Sequence, residues 1–221
     1  MPYGIGGLAD KFGNRYESRW LVELLIRLSR EQILSVIHES VDADGIDLQL
    51  CNIDGIKEFH QCKGRNAGKD YWTLSALNSH NIFSYARKRL DSDERHIYKL
   101  ISPRPCDAME TLIMRAKNSP NDPMKFYESQ IKAIHGINSA DIEKNFHKFQ
   151  EYMGLPPDDT PSSIVSARDY LVRMEFILLA DTEYVKTQLT DRISDIYSSD
   201  SKGIYDIFVN YTIDNNSFIC L

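Results

Sequence analysis

The chain has 221 residues, of which 42% are apolar and 26% are charged, which is enough for one sizeable core or for one domain with a smaller helical appendage. No apolar run approaches the roughly 20 residues of a membrane span, and no signal peptide opens the chain, so we predict a cytoplasmic protein with no membrane partner. The net charge is −6, but residues 55–105 contain ten Lys/Arg against five Asp/Glu, and this basic segment can meet phosphates unless it is simply a solvated helix face.

The first half of the chain predicts an alternation of helices and strands. A helix is expected over residues 15–30, because Tyr16, Trp20, Leu21, Leu24, Leu25 and Leu28 form an apolar stripe at helical spacing. Alternating or branched apolar residues then predict strands, and glycine-bearing turns separate them. The predicted strands are residues 33–37, 46–51, 57–63 and 96–102, and a helix is predicted over residues 71–90. The second and third strands are close enough in sequence to form an antiparallel hairpin.

The second half of the chain predicts mostly helices. They are expected at residues 106–117, 123–134, 140–153, 164–180 and 183–197, and short strands are expected at 204–209 and 211–213. The fold class is therefore α/β, with a mixed β-sheet flanked by helices and a C-terminal helical extension. We predict a core domain over residues 1–121 and the extension over 122–221. Because the last residues, 218–221, are apolar, we also expect the natural chain to continue into a further domain.

The predicted hairpin brings together residues that suit metal chemistry. Asp47 lies on the second strand, and Gln61 and Lys63 share one face of the third. Phosphodiester cleavage requires a divalent metal, and Mg²⁺ prefers oxygen ligands, which Asp47, Gln61 and the backbone carbonyl of Cys62 can supply. Lys63 can orient or deprotonate the water, or stabilise the charge of the transition state. The alternative is that these are surface charges of an ordinary α/β domain.

Glu17 on the first helix strengthens this interpretation. It stands four, seven and eleven residues before Leu21, Leu24 and Leu28, so its carboxylate lies on or beside the apolar stripe. A carboxylate is costly there unless a metal or a lysine accompanies it. Glu17 is therefore a further predicted catalytic residue and metal ligand, whereas Glu23 is explained by surface pairs with arginines on its own helix.

Residues that flank the hairpin give weaker predictions. Glu39 and Asp44 are additional candidates for a second metal ligand, although each is more simply explained as a turn or strand-end acid. Arg65 and Lys69 follow Lys63 into a glycine-bearing loop and are predicted to contact DNA phosphates. Trp72 is interpreted as a core residue rather than a base-stacking one. The four cysteines lack metal-ligand spacing and are predicted to be reduced thiols, and the six histidines receive no role.

Three segments of this sequence resemble the PD-(D/E)XK nuclease superfamily. They are Gly13-Asn14-Arg15-Tyr16-Glu17, Asp44-Gly45-Ile46-Asp47, and Gln61-Cys62-Lys63-Gly64-Arg65 followed by Trp72. The glutamine of the third segment is similar to the Mrr-type branch, which uses Q-x-K. The opening also resembles the double-stranded DNA endonuclease domain of bacterial anti-phage effectors, among them the CBASS effector with a cyclic-oligonucleotide sensor and the Avs-type STAND NTPases. The resemblance covers about residues 4–105.

The resemblance implies a restriction-endonuclease-like fold and a Mg²⁺-dependent endonuclease, with Mn²⁺ as an alternative ion. The implied substrate is double-stranded DNA, cut with low sequence specificity as part of antiviral defence. Because cutting both strands needs two active sites, we expect activation by self-association, driven by a sensor domain outside this chain. Two alternatives stay open. One is a non-cleaving module of the same fold that binds DNA or a protein. The other is a modification-dependent restriction enzyme or a ribonuclease.

Overall fold

The fold is taken from a computed structural model, which describes residues 5–38, 45–64, 69–119, 121–132, 139–180, 183–197, 200–214 and 219–220. The chain forms two compact units. The first comprises Met1–Arg65, Ile101–Pro103 and Leu178–Leu221, and the second comprises Asn66–Leu100 and Arg104–Ile177. The predicted α/β class, a mixed sheet flanked by helices, is confirmed. The predicted domain boundary between residues 121 and 122 stays a prediction.

The first unit contains a sheet built around the predicted hairpin. Its strands are β1 (Ile33–His38), β2 (Leu48–Asn52) and β3 (Lys57–Cys62), and β1 and β3 each pair antiparallel with β2. The turn between β2 and β3 depends on Gly55, whose φ of 81° suits glycine because it carries no Cβ. A two-residue strand, Ile219–Cys220, pairs antiparallel with β1 on its other side. At the other edge, the backbone N–H of Lys63 donates to the carbonyl of Ile101 at 2.9 Å.

Helix α1 (Ile5–Ser29) is buried on two sides over residues 17–29, where its side chains are described; Tyr16 of the predicted stripe lies outside that range. The predicted stripe is confirmed in Trp20, Leu21, Leu24, Leu25 and Leu28, which are all buried. A second group of α1 residues, Val22 and Ile26, packs against the helices of residues 183–214. A helix that is apolar on most of its circumference is stable only when it is covered on most sides, so α1 is the central helix of the first unit.

The second unit is mainly helical and encloses an aromatic core. Its helices are α2 (Leu74–Ser79), α3 (Ile82–Leu90), α4 (Asp107–Lys117), α5 (Pro123–Phe126, extended by a π-helical turn, Tyr127–Lys132), α6 (Ser139–Tyr152) and α7 (Pro161–Val172). Strand β4 (Ile97–Ser102) enters this unit with its first residues, and there Tyr98 N–H donates to the carbonyl of Arg173 at 3.0 Å. The core is formed by fully buried rings, those of Phe83, Tyr98, Phe126, Tyr127, Phe146 and Phe149.

The structure corrects two predicted helices. The single helix predicted over residues 71–90 is two helices, because the polar segment between them turns at Asn81, whose φ of 59° is left-handed. The helix predicted over residues 164–180 ends at Val172. Strand β5 (Met174–Leu178) follows, since the carbonyl of Arg173 and the N–H of Leu179 bond to β4.

The strands predicted at residues 204–209 and 211–213 are also wrong. Helix α8 (Glu183–Ser194) agrees with its prediction, but residues 201–214 form another helix, α9 (Ser201–Asp214). Asp200 caps its start by accepting from the N–H of Gly203 at 3.0 Å. Tyr205, Phe208 and Val209 then pack on one side of α9, at the three- and four-residue spacing of a helix.

Candidate metal centre

Asp47 is held at the edge of the hairpin by the backbone of β3. Its N–H donates to the carbonyl of His60 at 3.1 Å, and its Oδ2 accepts from the N–H of Cys62 at 2.5 Å. The β2–β3 register pairs Leu48 with His60, and Asp47 immediately precedes Leu48, so Asp47 lies next to the last residues of β3. The main chain of β3 therefore fixes this carboxylate beside the Gln61–Lys63 segment.

The environment of Asp47 disfavours its charge. Burial and the carboxylate of Glu17 raise the pKa of Asp47 from 3.8 to about 6, in that order of importance. The Cys62 N–H, the Lys63 ammonium and His38 act in the opposite direction without cancelling the increase. An acid with a pKa this high, beside a second acid, is a place where an added cation would be stabilising.

Glu17 contacts a residue for which the sequence predicts no role. Its Oε1 lies 2.6 Å from Nε2 of His38, the last residue of β1, and both side chains are largely buried, with exposed fractions of 17% and 8%. His38 sits two residues after the buried Val36 and so shares its inward face. This alternation along β1 could have identified His38 from the sequence, because a histidine that points inward at a strand end needs a hydrogen-bond partner.

A buried series of hydrogen bonds joins α1 to the sheet, one helical turn away from Glu17. The indole N–H of Trp20 donates to Nδ1 of His60 at 2.9 Å, so the proton of this neutral imidazole is on Nε2. That nitrogen donates to Glu58 at 2.9 Å, and Glu58 also accepts from the Asn52 amide at 2.8 Å. The direction and position of α1 are thereby set by named hydrogen bonds, and with them the position of Glu17.

The remaining predicted hairpin residues lie on the same edge. Gln61 is buried, with 1% of its surface exposed. The backbone of Lys63 is anchored by Ile101 and by the hydroxyl of Ser102, which donates to the Lys63 carbonyl at 2.9 Å. Burial, Asp47 and Glu17 raise the pKa of the Cys62 thiol well above its usual value, so Cys62 stays a neutral thiol.

These residues fit a divalent cation. Glu17 and Asp47 provide carboxylate oxygens from a helix and a strand edge, and Gln61 adds an amide on the same strand as Lys63. Oxygen ligands of this kind are those that Mg²⁺ and Mn²⁺ prefer. Whether the Cys62 carbonyl is a ligand stays a prediction.

Several other predicted residues lie elsewhere. Glu39, Asp44 and Arg65 are outside the described residues. Lys69 is exposed and belongs to the second unit. Trp72 is buried in that unit against His80, at 5.3 Å between ring centroids, which confirms the core interpretation.

The sequence predicts reduced cysteines and no membrane-spanning segment, and the described residues bear on both. Cys51, Cys62 and Cys106 are free thiols, as predicted. Among the helices that the structure describes, none is both long and apolar enough to cross a membrane.

Comparison with known proteins gives structural neighbours only. No family model matches the chain, and no curated protein matches it. The chain is similar to the Cap4 SAVED/CARF-domain containing receptor of Acinetobacter baumannii, solved with the cyclic trinucleotide 3'3'3'-cAAA (TM-score 0.56, 14% identity, 94% of this chain and 44% of that chain). It is also similar to the same receptor with 2'3'3'-cAAA (TM-score 0.56, 13% identity, 94% of this chain and 42% of that chain). A third similar structure is the Cap4 SAVED/CARF-domain containing receptor of Moraxella osloensis (TM-score 0.52, 13% identity, 91% of this chain and 42% of that chain).

These likenesses define the fold and overturn the predicted function. The chain spans less than half the length of these receptors, and at this identity the similarity establishes the fold alone. The neighbours that share the fold are named as SAVED/CARF-domain containing receptors, two of them solved with a cyclic trinucleotide, and this conflicts with the predicted nuclease. The predicted function of double-stranded DNA endonuclease is therefore corrected, and with it the PD-(D/E)XK nuclease assignment.

The physical reason for this error lies in what the motif specifies. A carboxylate, a polar residue and a lysine on a hairpin, together with a helix glutamate, are residue types that suit a cation. The same arrangement carries no information about whether a phosphodiester bond is then cleaved, because the ligand chemistry is common to both cases. Only the anti-phage context of the resemblance agrees with the neighbours.

Proposed function

We propose that this chain is a region of a cyclic-oligonucleotide receptor that acts in anti-phage defence. The observation that supports this proposal is the similarity of 94% of the chain to a receptor solved with a cyclic trinucleotide. Because the chain spans under half of that receptor, the proposal concerns the whole protein, to which this region contributes one part. Self-association and a cytoplasmic location stay predictions.

Calorimetric titration with the two cyclic trinucleotides named above tests the receptor proposal. We expect saturable binding of at least one of them to the protein that contains this region, and no binding of the linear adenosine trinucleotide, which is the matched control. Thermal unfolding gives an independent measurement, since a ligand that binds only the folded state raises the midpoint as its concentration increases. Absence of both responses, in this chain and in any longer polypeptide that contains it, would refute the proposal.

We further propose that the Glu17–Asp47 edge of the first unit binds Mg²⁺, with Mn²⁺ as a substitute. The supporting observation is the raised pKa of Asp47, which arises because burial and Glu17 oppose its charge more than Lys63 and His38 favour it. A divalent cation between the two carboxylates would reverse that balance. Glu17 and Asp47 would hold the cation, with Gln61 as a further oxygen donor, and the Cys62 N–H would keep Asp47 Oδ2 oriented.

Mn²⁺ binding, followed by electron paramagnetic resonance of the free ion, tests this site. Asp47→Asn and Glu17→Gln each remove one charge and should weaken binding strongly, because each leaves a single carboxylate. Glu23→Gln is the matched control, since Glu23 lies on the same helix but pairs with Arg192. Equal Mn²⁺ binding by all three variants and the wild type would contradict the proposed site.

The predicted enzymatic activity stays a prediction about this edge. A bound divalent cation would supply an activated water and neutralise developing charge, and Lys63 would stand beside it as a donor. The chromogenic diester bis(p-nitrophenyl) phosphate tests hydrolysis without assuming any natural substrate. Release of nitrophenol by the wild type with Mn²⁺, absent in Asp47→Asn and Lys63→Ala, would indicate an enzyme; no release by any of them would favour a purely ligand-binding region.

A further inference from the structure

A second cluster of metal-ligand types lies in the second unit, far in sequence from the first. Glu143 and His147 are one turn apart on α6, and Asp159 precedes α7. One ligand atom from each of these residues lies within 4.8 Å of the other two. His147 Nε2 and Asp159 Oδ1 are 3.1 Å apart, close to the separation of about 3.3 Å between two ligands of a tetrahedral ion whose bonds are about 2.0 Å long.

The hydroxyl of the buried Tyr127 lies in the middle of this cluster. It donates to Asp159 Oδ1 and lies 3.3 Å from Glu143 Oε1 and 3.5 Å from His147 Nε2. The three ligand atoms therefore surround the Tyr127 hydroxyl, and a metal ion would bind them on the side of the cluster that faces away from it. On its outer side, an open surface depression lined by Glu143 and His147 leaves a water-accessible position beside the cluster.

One cation of the protein itself already occupies part of this site. Lys132 Nζ lies 2.7 Å from Asp159 Oδ2, the oxygen that does not face His147. The ammonium also lies 5.0 Å from the centroid of the Tyr127 ring. A metal ion bound at Asp159 Oδ1 would be repelled by the positive charge of Lys132. Lys132 is therefore a competitor of the metal and not a ligand.

We infer that Glu143, His147 and Asp159 form a binding site for a divalent transition-metal ion of the Zn²⁺ type. One imidazole nitrogen and two carboxylates are ligands that Zn²⁺ accepts, with a fourth position left for water. The nitrogen ligand distinguishes this site from the all-oxygen Glu17–Asp47 edge, which suits Mg²⁺. The inference does not rest on the receptor proposal or on the Mg²⁺ proposal.

Zn²⁺ calorimetry near neutral pH tests the inference, with Asp47→Asn as the background so that the first cluster does not contribute. One equivalent should bind, and His147→Ala and Glu143→Gln should each weaken binding by about tenfold or more, at least the loss seen when a supporting group of a metal site is removed. Glu151→Gln is the matched control, because Glu151 is on the same helix and lines the same depression. Co²⁺ gives a direct signature, since its visible absorption should report a four-coordinate ion that is lost in His147→Ala.

Lys132→Met separates a metal site from a structural ion-pair network. If Lys132 competes with the metal, the variant should bind Zn²⁺ more tightly than its parent, whereas loss of a structural ion pair gives no such gain. Circular dichroism and thermal unfolding establish that each variant is folded. No Zn²⁺ binding by either the parent or Lys132→Met, or equal affinity in Glu151→Gln and His147→Ala, would overturn the inference.

Discussion

The two clusters use the same residue types and hold their charges in opposite ways. In the first unit, Asp47 is largely buried beside Glu17, and its pKa is raised to about 6. In the second unit, Asp159 is exposed, and hydrogen bonds from Lys132 and Tyr127, in that order, lower its pKa to about 2. The two aspartates differ in whether nearby groups offset the charge of the ionised carboxylate. Asp159 has a cation from its own chain, whereas Asp47 is left with a charge that burial and Glu17 both oppose.

The largest effect on stability is expected from breaking the hydrogen bonds that join Trp20, His60 and Glu58 and so position α1. His60→Ala would leave the Trp20 indole without its acceptor and the buried Glu58 without its histidine donor. Each buried hydrogen-bonding group that loses a partner in this way costs about 1–3 kcal/mol, so the two losses together amount to about 2–6 kcal/mol. Urea unfolding measures this loss, and Mn²⁺ binding should weaken with it, because Glu17 is on the same helix. A variant as stable as the wild type would show that α1 is fixed by apolar packing alone.

Asp47→Asn should stabilise the protein near neutral pH. A pKa raised from 3.8 to about 6 means that ionised Asp47 costs about 3 kcal/mol of folding free energy, at about 1.4 kcal/mol per unit. Asparagine keeps an oxygen that can accept from the Cys62 N–H but carries no charge. Chemical unfolding without divalent ions measures the gain. A destabilised variant would mean that the carboxylate is already neutralised in the folded chain.

The raised pKa of Asp47 also predicts how the stability of the protein depends on pH. Because the folded-state pKa of Asp47 is raised, its favourable contribution is complete below about pH 4 and is lost as pH rises through about 6. The stability difference between the wild type and Asp47→Asn should therefore grow across that window and then level off. Unfolding curves at several pH values test this, and adding Mg²⁺ should shrink the difference at the upper end. A difference that does not change with pH would exclude titration of Asp47 as its cause.

The smallest effect is expected for Asp159→Asn, and its sign is opposite. The lowered pKa of Asp159 stabilises the fold above about pH 4 and is lost as pH falls through about 2. Since 45% of its side chain is exposed, solvent screening reduces the effect to about 1 kcal/mol or less. Unfolding near neutral pH should therefore show a slightly less stable variant. A stabilised variant would remove the contrast between the clusters.

The sequence predicted the elements whose patterns are local. The α1 stripe, strands β1 to β4 and helices α4, α6 and α8 follow from apolar spacing and turn residues. The antiparallel pairing of β2 with β3, which brings Asp47 to the end of β3, follows from strand alternation and a short turn. Strand β5 was missed because Met174–Leu178 continues an apolar stretch directly after α7, and only its bonds to β4 separate it from that helix. Helix α9 was missed because its branched and aromatic residues favour strands intrinsically, although their spacing is helical.

The parts of the site that were missed depend on contacts between distant residues. His38 and Glu17 are 21 positions apart, and only the packing of α1 on β1 brings them to 2.6 Å. The cluster of Glu143, His147 and Asp159 joins two helices and a buried tyrosine that no spacing rule connects. The function was predicted wrongly for a different reason, since the residue types at the hairpin suit a cation without specifying what the protein does.

The burial of α1 on two sides has a consequence for the order of folding. Val22 and Ile26 are covered by Val185, Leu189, Ile193 and Tyr205, more than 150 positions later in the chain. During synthesis, this face of α1 has no native partner until α8 and α9 have left the ribosome. The second unit lies wholly between these segments in sequence and can fold earlier, from contacts of shorter range. Until the last helices arrive, this apolar face of α1 is exposed to solvent, and the partly synthesised chain is prone to aggregate through it.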